Sequence, residues 1–87
     1  KVIKIDPNNA DAYSNRGNVK DHLKDYQGAI VDYNKAIEIY PKFANAYYGR
    51  GMAKLGLSQK DDGCLDFSTA GELGSEIAYK AIKALCN

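Results

Sequence analysis

The sequence predicts an all-α fold in which antiparallel helix pairs are stacked one after another. Three observations predict it. The 87-residue chain repeats itself every 34 residues, its apolar positions recur at spacings of three and four, and it contains only two prolines, Pro7 and Pro41. A repeat of this kind cannot bury its apolar face alone, so we expect neighbouring units to stack around a continuous core.

The internal repeat extends over both halves of the chain. A shift of 34 places Tyr13 on Tyr47 and the pair Arg16-Gly17 on Arg50-Gly51. Other identical pairs include Ala10 and Ala44, Ala12 and Ala46, Lys20 and Lys54, Leu23 and Leu57, Ala36 and Ala70, Ile3 and Ile37, Ile5 and Ile39, and Pro7 and Pro41. So many identities at one offset indicate a true repeat.

The first unit contains two helical patterns. Over residues 10–23 the small and apolar side chains fall three or four positions apart, and they do so again over residues 26–40. The polar residues 22–25 suit a short connection between antiparallel helices. Pro41 then ends the second helix, because proline lacks a backbone N–H and disfavours helix at the residue before it.

The helix starts and the final segment carry their own signals. Either Asn8 or Asn9 can cap the first helix with its side chain. Residues 75–86 predict one more helix, with Ser75 as its cap and Glu76 favourably placed near the positive end. The apolar stripe of this segment would cover the last face of the stack, as a repeat array requires.

These residues resemble the tetratricopeptide repeat family, whose unit is a pair of antiparallel helices. The matching sites are Tyr13, Gly17, Ala29, Tyr33, Ala36 and Pro41 in one unit, and Tyr47, Gly51, Phe67 and Ala70 in the next. The second unit departs from the family pattern at Lys60, Gly63 and Ser75. The resemblance implies a right-handed α-solenoid with the tail of a preceding repeat helix over residues 1–7, repeats over 8–41 and 42–74, and a C-terminal capping helix over 75–87.

Small residues explain how the two helices of a unit can pack closely. Gly17 and Ala29 lie on partner helices of the first unit, and neither has a bulky side chain. Gly51 and Gly63 take the same places in the second unit. We therefore expect close helix contacts at these positions.

Arg16 and Arg50 stand at a position that the family usually gives to leucine. We expect their stems to pack between helices while their guanidinium groups reach a carboxylate on the second helix of the unit, such as Asp32 or Asp66. The other interpretation is an anion-binding site.

The resemblance also implies that the first helix of each unit lines a concave surface, where ligand peptides of the family usually lie. The positions that would face it are Asp11, Ser14, Asn15, Asn18, His22, Asn45, Tyr48, Gly49, Met52 and Gly56. The asparagines can hydrogen-bond a peptide backbone, whereas Tyr48 and Met52 suit apolar contacts and Gly49 leaves room for a ligand to approach. The function indicated is a scaffold that binds a protein or peptide partner of unknown identity.

Two alternatives to a ligand groove remain open. The same positions suit a solvated helix face on which Tyr48 lies against its neighbour. The chain as a whole also suits a purely structural solenoid end, or a self-associating module without its own groove.

The chain has no pattern typical of an enzyme, and we expect no catalytic residue, cofactor or metal. Its only histidine, His22, stands near Asp21 and Asp25, but one imidazole and two loop carboxylates make a weak metal set. The formal net charge of +1 gives no reason to expect nucleic-acid binding. No apolar run approaches the ~20 residues that span a membrane.

Cys64 and Cys86 allow two interpretations. Folding the last two helices into a hairpin about Gly74 brings Cys64 roughly level with the end of the final helix, so a disulfide can form. In that case we expect an exported protein, since reducing cytosol would not sustain the bond. Otherwise both are reduced, apolar side chains of a cytoplasmic protein.

The N-terminal end predicts a further contact. Because the chain begins with Lys1 rather than Met, we expect it to be a piece of a longer protein. The first full helix, including Tyr13, would then present a face that a preceding helix normally covers. We expect upstream repeats or a second copy of the chain to pack there.

Overall fold

The computed structural model describes residues 8–86, and this range contains five α-helices joined by short turns. They are α1 (Ala10–His22), α2 (Tyr26–Ile39), α3 (Ala44–Gly56), α4 (Lys60–Glu72) and α5 (Glu76–Leu85). Each helix packs on the next in chain order, and α1 also contacts α3. The prediction of an all-helical solenoid of stacked helix pairs is confirmed. The expected tail of a preceding helix, residues 1–7, lies outside the described residues.

Side chains cap the helices where the sequence predicted it. The side-chain oxygen of Asn9 accepts a hydrogen bond from the N–H of Ala12 at 3.0 Å, and the hydroxyl of Ser75 accepts one from Ala78 at 3.2 Å. Each bond satisfies a backbone donor that the first helical turn leaves without a partner. The predictions of Asn9, one of two candidates, and of Ser75 as caps are confirmed.

The turn inside each helix pair has the same backbone geometry in both units. Lys24 and Ser58, which stand 34 positions apart, adopt left-handed φ angles of 63° and 64°. Residues other than glycine rarely adopt such an angle. Its recurrence at equivalent positions shows that the sequence repeat is also a structural repeat.

The core combines small residues with one large ring in each unit. Tyr33 and Phe67 occupy equivalent positions and are at most 1% exposed. Fully buried alanines surround them: Ala29, Ala36, Ala46 and Ala53 near Tyr33, and Ala70 and Ala78 near Phe67. Because alanine lets helix axes approach closely, a single ring is enough to fill the remaining space.

Two glycines face each other where α3 meets α4. A Cβ atom on Gly63 would lie 2.7 Å from the carbonyl oxygen of Gly51, and one on Gly51 would lie 2.8 Å from the oxygen of Gly63. Backbone atoms cannot move aside as a flexible side chain can. The second helix pair therefore packs too closely for the alanine that the first pair accommodates at Ala29.

Each unit also holds a buried aspartate between two cations. Arg16 donates two hydrogen bonds to Asp32, at 2.8 and 2.7 Å, and the ammonium group of Lys20 lies 3.2 Å from the same carboxylate. The arrangement recurs around Asp66. Burial acts to raise the pKa of the Asp32 carboxyl, but the hydrogen bonds from Arg16 and Lys20 outweigh it, and the pKa is lowered. The predicted arginine–carboxylate contacts are confirmed.

A disulfide joins the start of α4 to the residue that follows α5. The sulfur atoms of Cys64 and Cys86 are 2.09 Å apart and the Cα atoms 5.9 Å apart. The bond closes a loop that spans 22 positions of the sequence. It therefore ties the terminal helix to the second repeat at the end opposite to the turn at Gly74.

Candidate peptide-binding cleft

A cleft of about 380 Å³ opens where the first helices of the two units meet. Its lining residues are Asn18, Asp21, His22, Tyr33, Tyr48, Gly49 and Met52. Residues of α1 form one wall and residues of α3 form the other, while Tyr33 reaches in from α2. The structure thus brings together four of the predicted ligand-contacting side chains, those of Asn18, His22, Tyr48 and Met52.

The ring of Tyr33 is wedged against Gly49. A Cβ atom at Gly49 would lie 2.5 Å from Cζ of Tyr33, so only glycine leaves space for the ring. The sequence predicted that Gly49 leaves room for something to approach the helix, and in the structure the ring of Tyr33 occupies that room. The ring of Tyr26 does the same at Gly56, where a Cβ atom would lie 2.5 Å from its Cζ.

The hydroxyl of Tyr33 is a fixed donor in the cleft. It donates a hydrogen bond of 2.6 Å to the side-chain oxygen of Asn18. Burial raises the pKa of the Tyr33 phenol well above its ordinary value, and the negative charges of Asp21 and Asp32 act in the same direction. The phenol therefore stays protonated at physiological pH, and its bond holds the Asn18 amide in one orientation.

Tyr48 is both a packing residue and a wall of the cleft. Its ring centroid lies 5.5 Å from that of Phe67, with the ring planes tilted by 36°. The residue is only half-buried and lines the cleft. The two interpretations of Tyr48 are thus compatible, because its contact with Phe67 holds the ring in place beside the open space.

Asp21 is the functional candidate that sequence reasoning missed. It was considered only as a neighbour of His22 in a weak metal set. The structure places its carboxyl in the cleft, and within residues 8–86 it forms no ion pair. Burial raises its pKa, against which the nearby His22 acts. A signal was present, since Asp21 follows Asn18 by three positions, which is one helical turn.

The remaining predicted residues lie outside this cleft. Asp11, Asn15 and Asn45 are exposed on α1 and α3. Ser14 is 4% exposed, so its side chain offers almost no surface to a ligand. The cleft therefore contains only some of the residues that the sequence predicted to face a ligand.

A second cleft, of about 360 Å³, lies on the other side of the first helix pair. Its lining residues are Tyr13, Arg16, Val31, Asp32, Asn34, Lys35 and Glu38. All of them belong to α1 and α2, and Asn34 also accepts a hydrogen bond of 2.9 Å from Arg50 of the following unit. The cleft includes Tyr13, which the sequence predicted to lie on a face that a further contact covers.

The described part of the chain was also compared with the requirements of a metal site and of a membrane-spanning helix. Within residues 8–86, no three histidine, cysteine or acidic side chains come together in a way that could hold a metal ion. None of the five described helices is both long enough and apolar enough to cross a membrane.

Comparison with known proteins agrees with this architecture. The model of the tetratricopeptide repeat family matches residues 10–43, which contain α1 and α2. No curated protein matches the chain. Repeats of this family generally mediate protein–protein interactions and are typically non-enzymatic scaffolds. The family match covers the first helix pair, and together with the five stacked helices it fits a tetratricopeptide-repeat protein.

Proposed function

We propose that the chain is a non-enzymatic interaction module that binds an extended segment of a partner protein in the cleft between α1 and α3. The observation that carries this proposal is the cleft itself. Its volume of about 380 Å³ is within the range typical of ligand sites, and its walls combine aromatic, thioether and amide groups. Such a mixture suits a peptide, which presents both apolar side chains and an unpaired polar backbone.

The roles of the lining residues follow from their surroundings. Tyr48 is the anchor, because a ring held by Phe67 loses little conformational freedom when a ligand packs on it. Met52 adapts its shape to the ligand side chain. The amides of Asn15 and Asn45, exposed on the same two helices, extend the surface with groups that both donate to and accept from a peptide backbone.

Selection from a random peptide library displayed on phage tests this function. We expect the chain to enrich peptides whose binding is lost in the double variant Tyr48→Ala, Asn15→Ala. The matched control is Tyr79→Ala, which removes a 52%-exposed tyrosine of α5 and should leave binding unchanged. Circular dichroism of each variant separates lost binding from lost folding. If the enriched peptides bind the double variant as well as they bind the native chain, the cleft is not the binding site.

A second function is favoured by the ion pairs of the two units. Arg50 donates to its own aspartate and also to Asn34 of the preceding unit, at 2.9 Å. No residue within 8–86 gives Arg16 the equivalent bond. The side chain of Arg16 is 34% exposed and that of Arg50 only 20%. The face around Arg16 is therefore suited to a helix of a second copy of the chain.

Light scattering across a concentration series tests self-association on this face. We expect the average mass to rise with concentration. A clean monomer at high concentration would refute self-association but leave the peptide cleft untouched.

The disulfide supports an oxidising compartment for this part of the protein. Such bonds persist outside reducing cytosol, and here one holds the terminal helix in place. We expect the thiols of Cys64 and Cys86 to resist alkylation when source cells are quenched before lysis, and to react after reduction. Two thiols that are alkylated without reduction would place the protein in a reducing compartment.

A further inference from the structure

We propose that the cleft between α1 and α3 binds an arginine side chain of the partner, held between the carboxylate of Asp21 and the ring of Tyr48. The proposal rests on the function proposed above and extends it by naming the chemistry of the ligand. Three features of the structure support it: the charge of the cleft, a precedent within the chain itself, and the shape of the acceptor groups.

The cleft contains a carboxylate without a lysine or arginine partner. Its lining includes no lysine or arginine, and α3 contributes no ionisable side chain to it other than Tyr48. The lysines nearest to Asp21 in sequence are Lys20, which is engaged by Asp32, and Lys24, which is not part of the lining. His22 is the single basic group in the lining, and it acts to lower the pKa of Asp21 without forming an ion pair with it. The charge of Asp21 is thus open to a cation from outside the chain.

The chain builds the proposed arrangement twice for its own arginines. The guanidinium of Arg16 lies 5.7 Å from the ring centroid of Tyr13 while it donates two hydrogen bonds to Asp32. The second unit repeats this with a ring distance of 5.2 Å. Both are arginines held between a tyrosine face and an aspartate. In the cleft, Tyr48 and Asp21 provide these two components without the guanidinium.

The acceptors in the cleft favour arginine over lysine. A guanidinium is planar, stacks on aromatic rings and donates along several directions at once, whereas an ammonium group is a compact point charge. The amide oxygen of Asn18, already bonded to Tyr33, has a second lone pair for a further donor. Because burial makes the charged form of Asp21 costly, a bound cation would also remove part of that cost.

Matched neutral replacements on both sides of the contact test the proposal. From the phage selection at neutral pH, one arginine-containing peptide is synthesised twice, once as selected and once with citrulline in place of arginine. Its affinity is measured by fluorescence polarisation for the native chain, for Asp21→Asn, and for Asp62→Asn, an equal charge change at an exposed position of α4. A lysine-containing version forms a further arm.

We expect selected peptides to be rich in arginine, and citrulline to weaken binding by about tenfold, as loss of a charged hydrogen bond would. Asp21→Asn should lower the affinity for the arginine peptide by the same factor, but should not lower the affinity for the citrulline peptide any further. Asp62→Asn should change neither affinity. Lysine should bind more weakly than arginine. Peptides that depend on Tyr48 but show no preference for arginine, or that bind Asp21→Asn equally well, overturn this proposal alone. A selection that yields no Tyr48-dependent peptide overturns the proposed function and this inference with it.

Discussion

Replacement of Gly63 by alanine tests the close packing of α3 on α4. The added Cβ atom would lie 2.7 Å from the carbonyl oxygen of Gly51, whereas ordinary contact begins at 3.4 Å. The two helices must therefore separate locally by about 0.7 Å, the difference between those distances. The neighbouring atom belongs to the backbone, so no side-chain rotation can relieve the clash.

Two effects of opposite sign decide the outcome. Alanine is a better helix former than glycine by about 1 kcal/mol. Overpacking in a close-packed interior costs about 1–3 kcal/mol, and a clash with rigid backbone falls in the middle or upper part of that range. The net expectation is a loss of about 1 kcal/mol in the free energy of unfolding, or about 4–8 °C in Tm for a chain of this size.

Urea and thermal unfolding followed by circular dichroism measure this loss. Ser68, exposed on the same helix, provides the control: the difference between Ser68→Gly and Ser68→Ala gives the helix propensity term alone. We expect alanine to stabilise at position 68 and to destabilise at position 63. If Gly63→Ala stabilises the protein by as much as Ser68→Ala exceeds Ser68→Gly in stability, α3 and α4 are not in the close contact described.

Three further predictions concern charge and the terminal helix. Asp32→Asn should lower the free energy of unfolding at neutral pH by about 2 kcal/mol, since the arginine and lysine that pair with Asp32 are only partly buried. Because the pKa of Asp32 is lowered in the folded state, the stabilisation by its carboxylate is present above about pH 4 and is lost as the pH falls further. The free energy of unfolding of the variant, measured by chemical denaturation, should therefore depend less on pH in that acid range. Asp21→Asn should raise Tm at pH 7 but not below about pH 3. The reason is that a carboxyl whose pKa is raised in the folded state lowers stability only when it is ionised. An unchanged Tm at pH 7 would contradict this account. Reduction of the disulfide between Cys64 and Cys86 should cost about 3 kcal/mol by the loop-entropy argument, seen as a shifted urea midpoint, whereas an unshifted midpoint would mean that the bond does not restrain α5.

Much of the fold could be predicted from the sequence because its signals are local. The period of three and four, the cap at Asn9, the cap at Ser75 and the stop before Pro41 each depend on a few neighbouring residues. The contact of Arg16 with Asp32 was also predictable, since both residues recur at the repeat interval and lie on partner helices. Such features do not depend on how successive units are rotated.

The cleft could be predicted only in part, because it depends on the angle between units. Helical position pointed to Asn18, Tyr48 and Met52, and these three residues line the cleft. It did not show that the ring of Tyr33 packs against Gly49 and lines the same cleft. These two residues are 16 positions apart in sequence and belong to different units, so their contact depends on how the units are arranged. The burial of Ser14 was also missed, because its helical position alone does not show what packs on it.

Amide chemical shifts of the ¹⁵N-labelled chain, recorded while a library-selected peptide is added, test the central claim most directly. If the cleft between α1 and α3 is the binding surface, the largest shifts should fall at Asn18, Tyr48 and Gly49, while Ser68 on α4 should not move. Shifts concentrated around Val31, or spread evenly over all five helices, would contradict a binding cleft between the first helices of the two repeats.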